Sequence, residues 1–173
     1  KYSQKILENE LKNNSNLKLD KNIIYTSSML HDMCDSKYMD EKKGLEDIGL
    51  LLNDLEYKKD DIDIILKIIG TMSYSKVKKN GFPELKNYQT EYHVVRESDL
   101  LAGYDVERCI VYGMIGRNFN YKESFLATKE LYYQRMAKQI EHKLFFSKYG
   151  LMEAEKLDKE NRIRLIELEK LLF

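Results

Sequence analysis

An all-α fold is predicted by three features of the chain. Its 173 residues include one proline and eight glycines, too few breakers to punctuate a run of strands and turns. Lys, Glu, Leu and Ile are abundant, as in helical proteins. Apolar residues also recur at helical spacing along nearly the whole length. The best strand candidate, Ile62 to Ile69, lies between helical patterns and reads more simply as a buried helix. The length predicts one domain over residues 1–173, with a core of ordinary size.

Tyr2, Ile6, Leu7 and Leu11 define a first helix to about Lys12, and residues 13–19 read as a loop. Asp20 is a suitable N-cap for a second helix through Ile23, Ile24, Ser27, Met29 and Leu30, ending at His31-Asp32. Thr26, Ser27 and Ser28 are small enough for close packing against a neighbouring helix. Asp40 caps a third helix with the apolar face Leu45, Ile48, Leu51, Leu52 and Leu55. Asp60 or Asp61 starts a fourth, with Ile62, Ile65, Leu66, Ile68 and Ile69. Ser73 to Leu85, containing Gly81-Phe82-Pro83, reads as the longest irregular stretch and as a pocket rim. A fifth helix runs from about Tyr88 to Leu101, and Gly103 breaks it. Asp105 caps a sixth through Ile110, Val111, Met114 and Ile115. Lys122 to Tyr149 shows uninterrupted helical periodicity from Phe125 to Phe145, with Gly150 as its end. Residues 151–173 form a charged C-terminal helix that either folds back on the body or pairs with a second copy.

Lysine plus arginine and aspartate plus glutamate number 29 each. That balance gives no bulk field to recruit nucleic acid or an anionic membrane. No apolar run approaches the roughly 20 residues of a membrane span, and no secretory leader is visible. Two cysteines, Cys34 and Cys109, make no disulfide framework and suit a reducing compartment such as the cytoplasm.

The chemistry concentrates in Ser27-Ser28-Met29-Leu30-His31-Asp32-Met33-Cys34-Asp35-Ser36-Lys37. Of three histidines in the chain, His31 alone has acidic neighbours at ligand spacing. Neighbouring helical residues point about 100° apart, yet both lean toward an ion on the flank between them. Imidazole nitrogen with carboxylate oxygen suits Mn, Fe, Ni, Zn, Co or Mg. Asp35 stands one turn on, placed to orient or deprotonate a water. Lys37 would meet phosphate oxygens as a point charge. The plainer reading of His31 is a helix-terminal histidine on backbone carbonyls or on Asp35.

Met29-Leu30-His31-Asp32 with Asp35 and Lys37 resembles the LLHD..D.K signature of the HD superfamily of metal-dependent phosphohydrolases. A second piece, His93-Val94-Val95-Arg96-Glu97-Ser98-Asp99-Leu100-Leu101, resembles that family's later helix, where an acidic-small-aspartate triplet follows an apolar pair. The late Glu141-His142-Lys143-Leu144 is similar to the long C-terminal helix of small HD proteins. The resemblance implies an HD-domain bundle of about five core helices, a divalent metal held by His31, Asp32 and Asp99, a water-orienting Asp35 and a phosphate contact at Lys37. The family's first ligand histidine has no counterpart here. Either Tyr2 takes its place, a poor ligand with an ordinary pKa near 10, or that histidine lies upstream of Lys1. Leu100 and Ala102 also stand where many members carry arginine and aspartate.

Arg96, Arg108 and Arg117 have forks that match phosphate, or they pair with Glu97, Asp105 or Glu107. Arg108 is preferred because it follows Asp99 in the next helix. Ser73 and Ser75 either donate to substrate or cap the loop. His93 and His142 read as structural or solvent-facing, and Cys34 has no base beside it other than His31. The expectation is a cytoplasmic phosphohydrolase acting on a nucleotide or other small phosphate ester. The alternative is a degenerate HD fold that binds or assembles without catalysis.

Overall fold

The computed structural model describes residues 1–35 and 39–173 and is helical throughout, with no strand among the described residues. Two compact units divide the chain, Lys1–Ser98 and Asp99–Phe173.

The first unit contains α1 (Tyr2–Asn13), α2 (Lys21–Leu30), a 3₁₀ turn (His31–Cys34), α3 (Glu41–Asp54), α4 (Lys59–Thr71), α5 (Tyr74–Asn80) and most of α6 (Gln89–Ala102). α4 is its central element, packing on both α2 and α3, while α1 packs on α2. Ile6, Leu7, Ile23, Ile24, Ile48, Leu52, Ile65 and Ile68 are all essentially inaccessible. Aspartate caps set the helix starts. Asp20 accepts from the Asn22 and Ile23 amides at 2.9 and 3.2 Å, and Asp40 accepts from Lys43 N at 2.8 Å. The predicted α3 face is only partly buried, because Leu51 and Leu55 are exposed.

Ser73–Leu85 is not the irregular stretch expected. It contains α5, which buries Val77 and ends at Gly81 with φ +75°. Lys76 holds α5 in place by donating to Gly70 O at 2.7 Å and pairing with Glu41. The sequence shows no apolar stripe here because a two-turn helix needs only one buried side chain.

The second unit contains the end of α6, α7 (Val106–Gly116), α8 (Tyr121–Leu131), a π-turn (Tyr132–Met136), α9 (Lys138–Glu141) and α10 (Lys148–Leu172). Asp105 caps α7 through Arg108 N at 2.9 Å, and Asn120 with Glu123 forms a capping box on α8. The predicted unbroken helix over Lys122–Tyr149 is therefore interrupted twice. A π-turn inserts a residue after α8, and the chain leaves the helix after α9, with Lys143 at φ +53°. Gly150 does not end a helix. It lies in the first turn of α10, where its amide donates to the Ser147 N-cap at 2.9 Å.

Buried polar groups tie α10 to its own unit. Tyr132 Oη donates to Asp158 at 2.5 Å, and Asn161 Nδ2 donates to Tyr104 O at 2.6 Å. Tyr104 Oη in turn donates to Met136 O at 3.0 Å. Burial pushes both phenols above their ordinary range, with Asp158 adding to the shift. Each is therefore a permanent donor. Within the second unit, α10 is thus held by directional bonds as well as by buried Ala154, Leu165 and Leu168.

Candidate functional site

Capping by Asp20 and burial of Ile23, Ile24 and Ser27 fix the axis of α2. After Leu30 the helix tightens to 3₁₀ over His31–Cys34, with Cys34 buried against α3. That tightening turns the predicted doublet off the helix end. His31 is half-buried, its side chain 22% accessible, whereas the Asp32 carboxylate is 80% accessible.

His31 Nδ1 lies 2.9 Å from Ser28 O. A carbonyl only accepts, so Nδ1 carries the proton and the tautomer is fixed. Nε2 then faces Asp32 Oδ1 at 3.3 Å. This is the outer-shell arrangement of ligand histidines, in which one ring nitrogen is anchored on a carbonyl and the other is presented with a carboxylate beside it. Among the described residues, no group of three or more His, Cys, Asp or Glu side chains is placed to hold a metal ion.

Asp35 follows the 3₁₀ turn, half-buried, its amide donating to Asp32 O at 3.3 Å. Lys37, expected to contact phosphate, lies outside the described residues. The Cys34 thiol is pushed up chiefly by burial, against the pull of Lys76, and Asp32 and Asp35 raise it further. It stays protonated at neutral pH, which disfavours a cysteine nucleophile.

The other candidates have the following local surroundings. Ser73 precedes α5, and its hydroxyl meets Ser75 Oγ at 3.3 Å without capping the helix. Asp99 is half-buried on α6 and is the first residue of the second unit. Arg108 is exposed and donates through Nη2 to Ala102 O at 3.1 Å, so it caps the end of α6. Tyr2 is the first residue of α1 and is half-buried.

Sequence reasoning underrated the polar face of α6. Glu91, Arg96 and Glu97 are buried, with Arg96 Nη2 3.8 Å from Glu97 Oε1 and the Arg96 guanidinium 5.0 Å from the Phe82 ring. His93 stacks edge-on to Phe82 and Tyr92 at 5.4 and 5.3 Å. Glu91 Oε1 accepts from Asp20 N at 3.0 Å, fastening α6 to the start of α2. The local sign is the density of charged residues within a helix that also carries Val94, Val95, Leu100 and Leu101.

Burial, followed by the Arg96 charge, lowers the His93 pKa to about 4. The unfolded chain, titrating near 6.5, therefore binds more protons than the native state between about pH 4 and 6.5. Stability contributed by His93 is complete above that window and is lost as pH falls through it. Proton NMR of the imidazoles should place the His93 titration near pH 4, and His93→Gln should reduce the acid sensitivity of unfolding. A His93 midpoint near 6.5 would contradict the burial argument.

Compared with models of known families, with curated proteins and with solved structures, the chain finds no match. Among the described residues, no helix is long and apolar enough to cross a membrane.

Proposed function

We propose that the chain is a cytoplasmic, HD-type metal-dependent phosphohydrolase acting on a small phosphate ester such as a nucleotide, with His31–Asp32 as its chemical centre. The observation carrying this reading is the anchoring of His31, whose Nδ1 is committed to Ser28 O while Nε2 and Asp32 Oδ1 approach one point. A divalent ion bound there supplies a Lewis acid for the phosphoryl group. The chain's own residues orient and hold. Ser28 O keeps the ring in register, Asp32 offers an accessible carboxylate, and Asp35 is the acid assigned to take a proton from the attacking water.

Purified protein supplied with Mn²⁺ or Co²⁺ should hydrolyse 4-nitrophenyl phosphate or members of a nucleotide panel. The double substitution His31→Ala, Asp32→Ala should abolish turnover, a loss of at least a hundredfold. Activity surviving the double substitution would remove this mechanism.

A second reading is favoured by the doublet itself, which brings two protein donors to one point, and by Tyr2 at the place of the first family ligand. On that reading the fold is retained as a binding or assembly module. Elemental analysis after incubation with Mn²⁺, Co²⁺ and Zn²⁺ separates the two. Stoichiometric metal lost on His31→Ala supports the enzyme, and protein that stays empty supports the module.

A further inference from the structure

Two exposed helix faces, one in each unit, carry opposite charges around apolar side chains. On α10, Ala154, Asn161, Leu165 and Leu168 are buried. About the opposite direction lie Met152, Lys156, Lys159, Ile163, Ile166 and Lys170, all exposed. They recur at alternating intervals of four and three, the spacing of a seam that packs against another helix. No carboxylate falls within about 45° of that direction on an ideal helix. Lys156 is shared between Glu153 and Glu160 at 3.8 and 4.0 Å, while Lys159 and Lys170 make no ion pair among the described residues. Ile163 and Ile166 are 52% and 50% accessible. Apolar side chains set along a packing seam and left open to water mark an interaction surface.

α3 shows the converse. Gly44, Ile48 and Leu52 are buried, and Glu46, Leu50 and Asp54 lie on the other side at intervals of four, all exposed, with Asp47 beside them. Leu50 is 64% accessible. From Gly44 to Tyr57 the sequence holds four carboxylates and no base. Lys43 adjoins this face only in the first turn. Glu46 meets Lys42 at 4.0 Å, with both side chains largely exposed, a pair of little energetic consequence.

Charge decides what covers the α10 face. A second α10 would set lysine against lysine. Pairing the two helices antiparallel about Ile163 and Ile166 brings Lys159 opposite Lys170, and a parallel register opposes each lysine to itself. The α3 of a second copy meets no such conflict. With Leu50 laid between Ile163 and Ile166, Glu46 and Asp54 stand on either side of it, about 12 Å apart along the axis, and Lys159 and Lys170 stand about 16.5 Å apart. The mismatch, about 2 Å at each end, is within the swing of a flexible lysine stem. We infer that the chain self-associates, α3 of one copy docking on the outward face of α10 of another. Leu50 meets Ile163 and Ile166 in this contact, while Glu46 and Asp54 pair with Lys159 and Lys170.

Sedimentation equilibrium of the wild type should give a mass above that of the 20.6 kDa chain, rising with protein concentration and falling as salt is raised to about 0.5 M. Lys159→Glu with Lys170→Glu should weaken association tenfold or more, and Glu46→Lys with Asp54→Lys should do the same. Far-UV circular dichroism should be unchanged in both variants. Each variant alone carries two faces of one sign. Mixed in equal amounts, the two variants should associate again, because each face then meets its opposite. A wild type that is monomeric throughout, variants that associate as the wild type does, or a mixture that stays monomeric would each overturn the inference. So would a monomeric wild type that binds phosphatidylserine vesicles through Lys159 and Lys170, which would assign the α10 face to an anionic membrane.

Discussion

Arg96→Met is expected to destabilise the first unit by about 3–5 kcal/mol, the cost of removing one partner of a buried charge pair. Arg96 is 1% accessible and Glu97 is fully inaccessible, with Nη2 and Oε1 3.8 Å apart. Three contributions favour the native arginine, and their sizes differ. The guanidinium over the Phe82 ring at 5.0 Å is worth about 0.5–2 kcal/mol. The arginine stem is buried, and methionine replaces most of its volume. The dominant contribution is the buried charge pair with the Glu97 carboxylate. The double substitution Arg96→Met, Glu97→Leu should therefore recover most of the loss, because replacing a buried charge pair by apolar groups of similar volume is often neutral where removing one partner is not. Urea unfolding followed by far-UV circular dichroism checks both variants. A single substitution costing under about 1 kcal/mol, or a double one no better than the single, would show that the pair is not acting as a unit.

The elements that the sequence revealed are those set by local chemistry. Asp20, Asp40 and Asp105 were recognisable as caps because a short carboxylate bonds amides two or three residues on, whatever the rest of the chain does. The isoleucines of α2 and α4 were recognisable because burial leaves a 3.6-residue period. What stayed hidden depends on partners distant in sequence. The π-turn at Tyr132–Met136 leaves apolar spacing nearly intact, and what accompanies it is the bond from Tyr104 Oη to Met136 O, 32 residues away. Gly150 was misread because glycine is compatible with both ends of a helix, and only the Ser147 cap decides which. In the candidate site, the His31–Asp32 doublet was recognisable from spacing. Its tautomer, set by Ser28 O, was not, and neither was the bond from Arg108 to Ala102 O. Which distant carboxylate a doublet meets is a tertiary property that neither periodicity nor capping carries.

Gly44→Ala should disturb the candidate site from a position that contributes no chemistry to it. A Cβ at Gly44 would stand 2.8 Å from Cys34 Cβ, 2.9 Å from Cys34 Cα and 2.7 Å from Met39 Sδ. The methionine sulfur ends a flexible chain and can swing aside, but Cys34 Cα is backbone of the 3₁₀ turn that carries His31 and Asp32. Alanine in a helix interior ordinarily gains up to about 1 kcal/mol over glycine. Here that gain is opposed by overpacking of about 1–3 kcal/mol, and the contact with backbone places the cost at the upper end. Gly49 on the same helix is the control, since its added Cβ would meet nothing closer than Leu66 Cδ1 at 3.4 Å. Gly49→Ala is therefore expected to be neutral or stabilising. Gly44→Ala should lower the melting temperature and shift the His31 imidazole resonances, because the turn cannot move without carrying Nδ1 relative to Ser28 O. A Gly44→Ala protein that melts as the wild type does, with unshifted His31 signals, would mean that the turn is not wedged against α3 and that its geometry is set elsewhere.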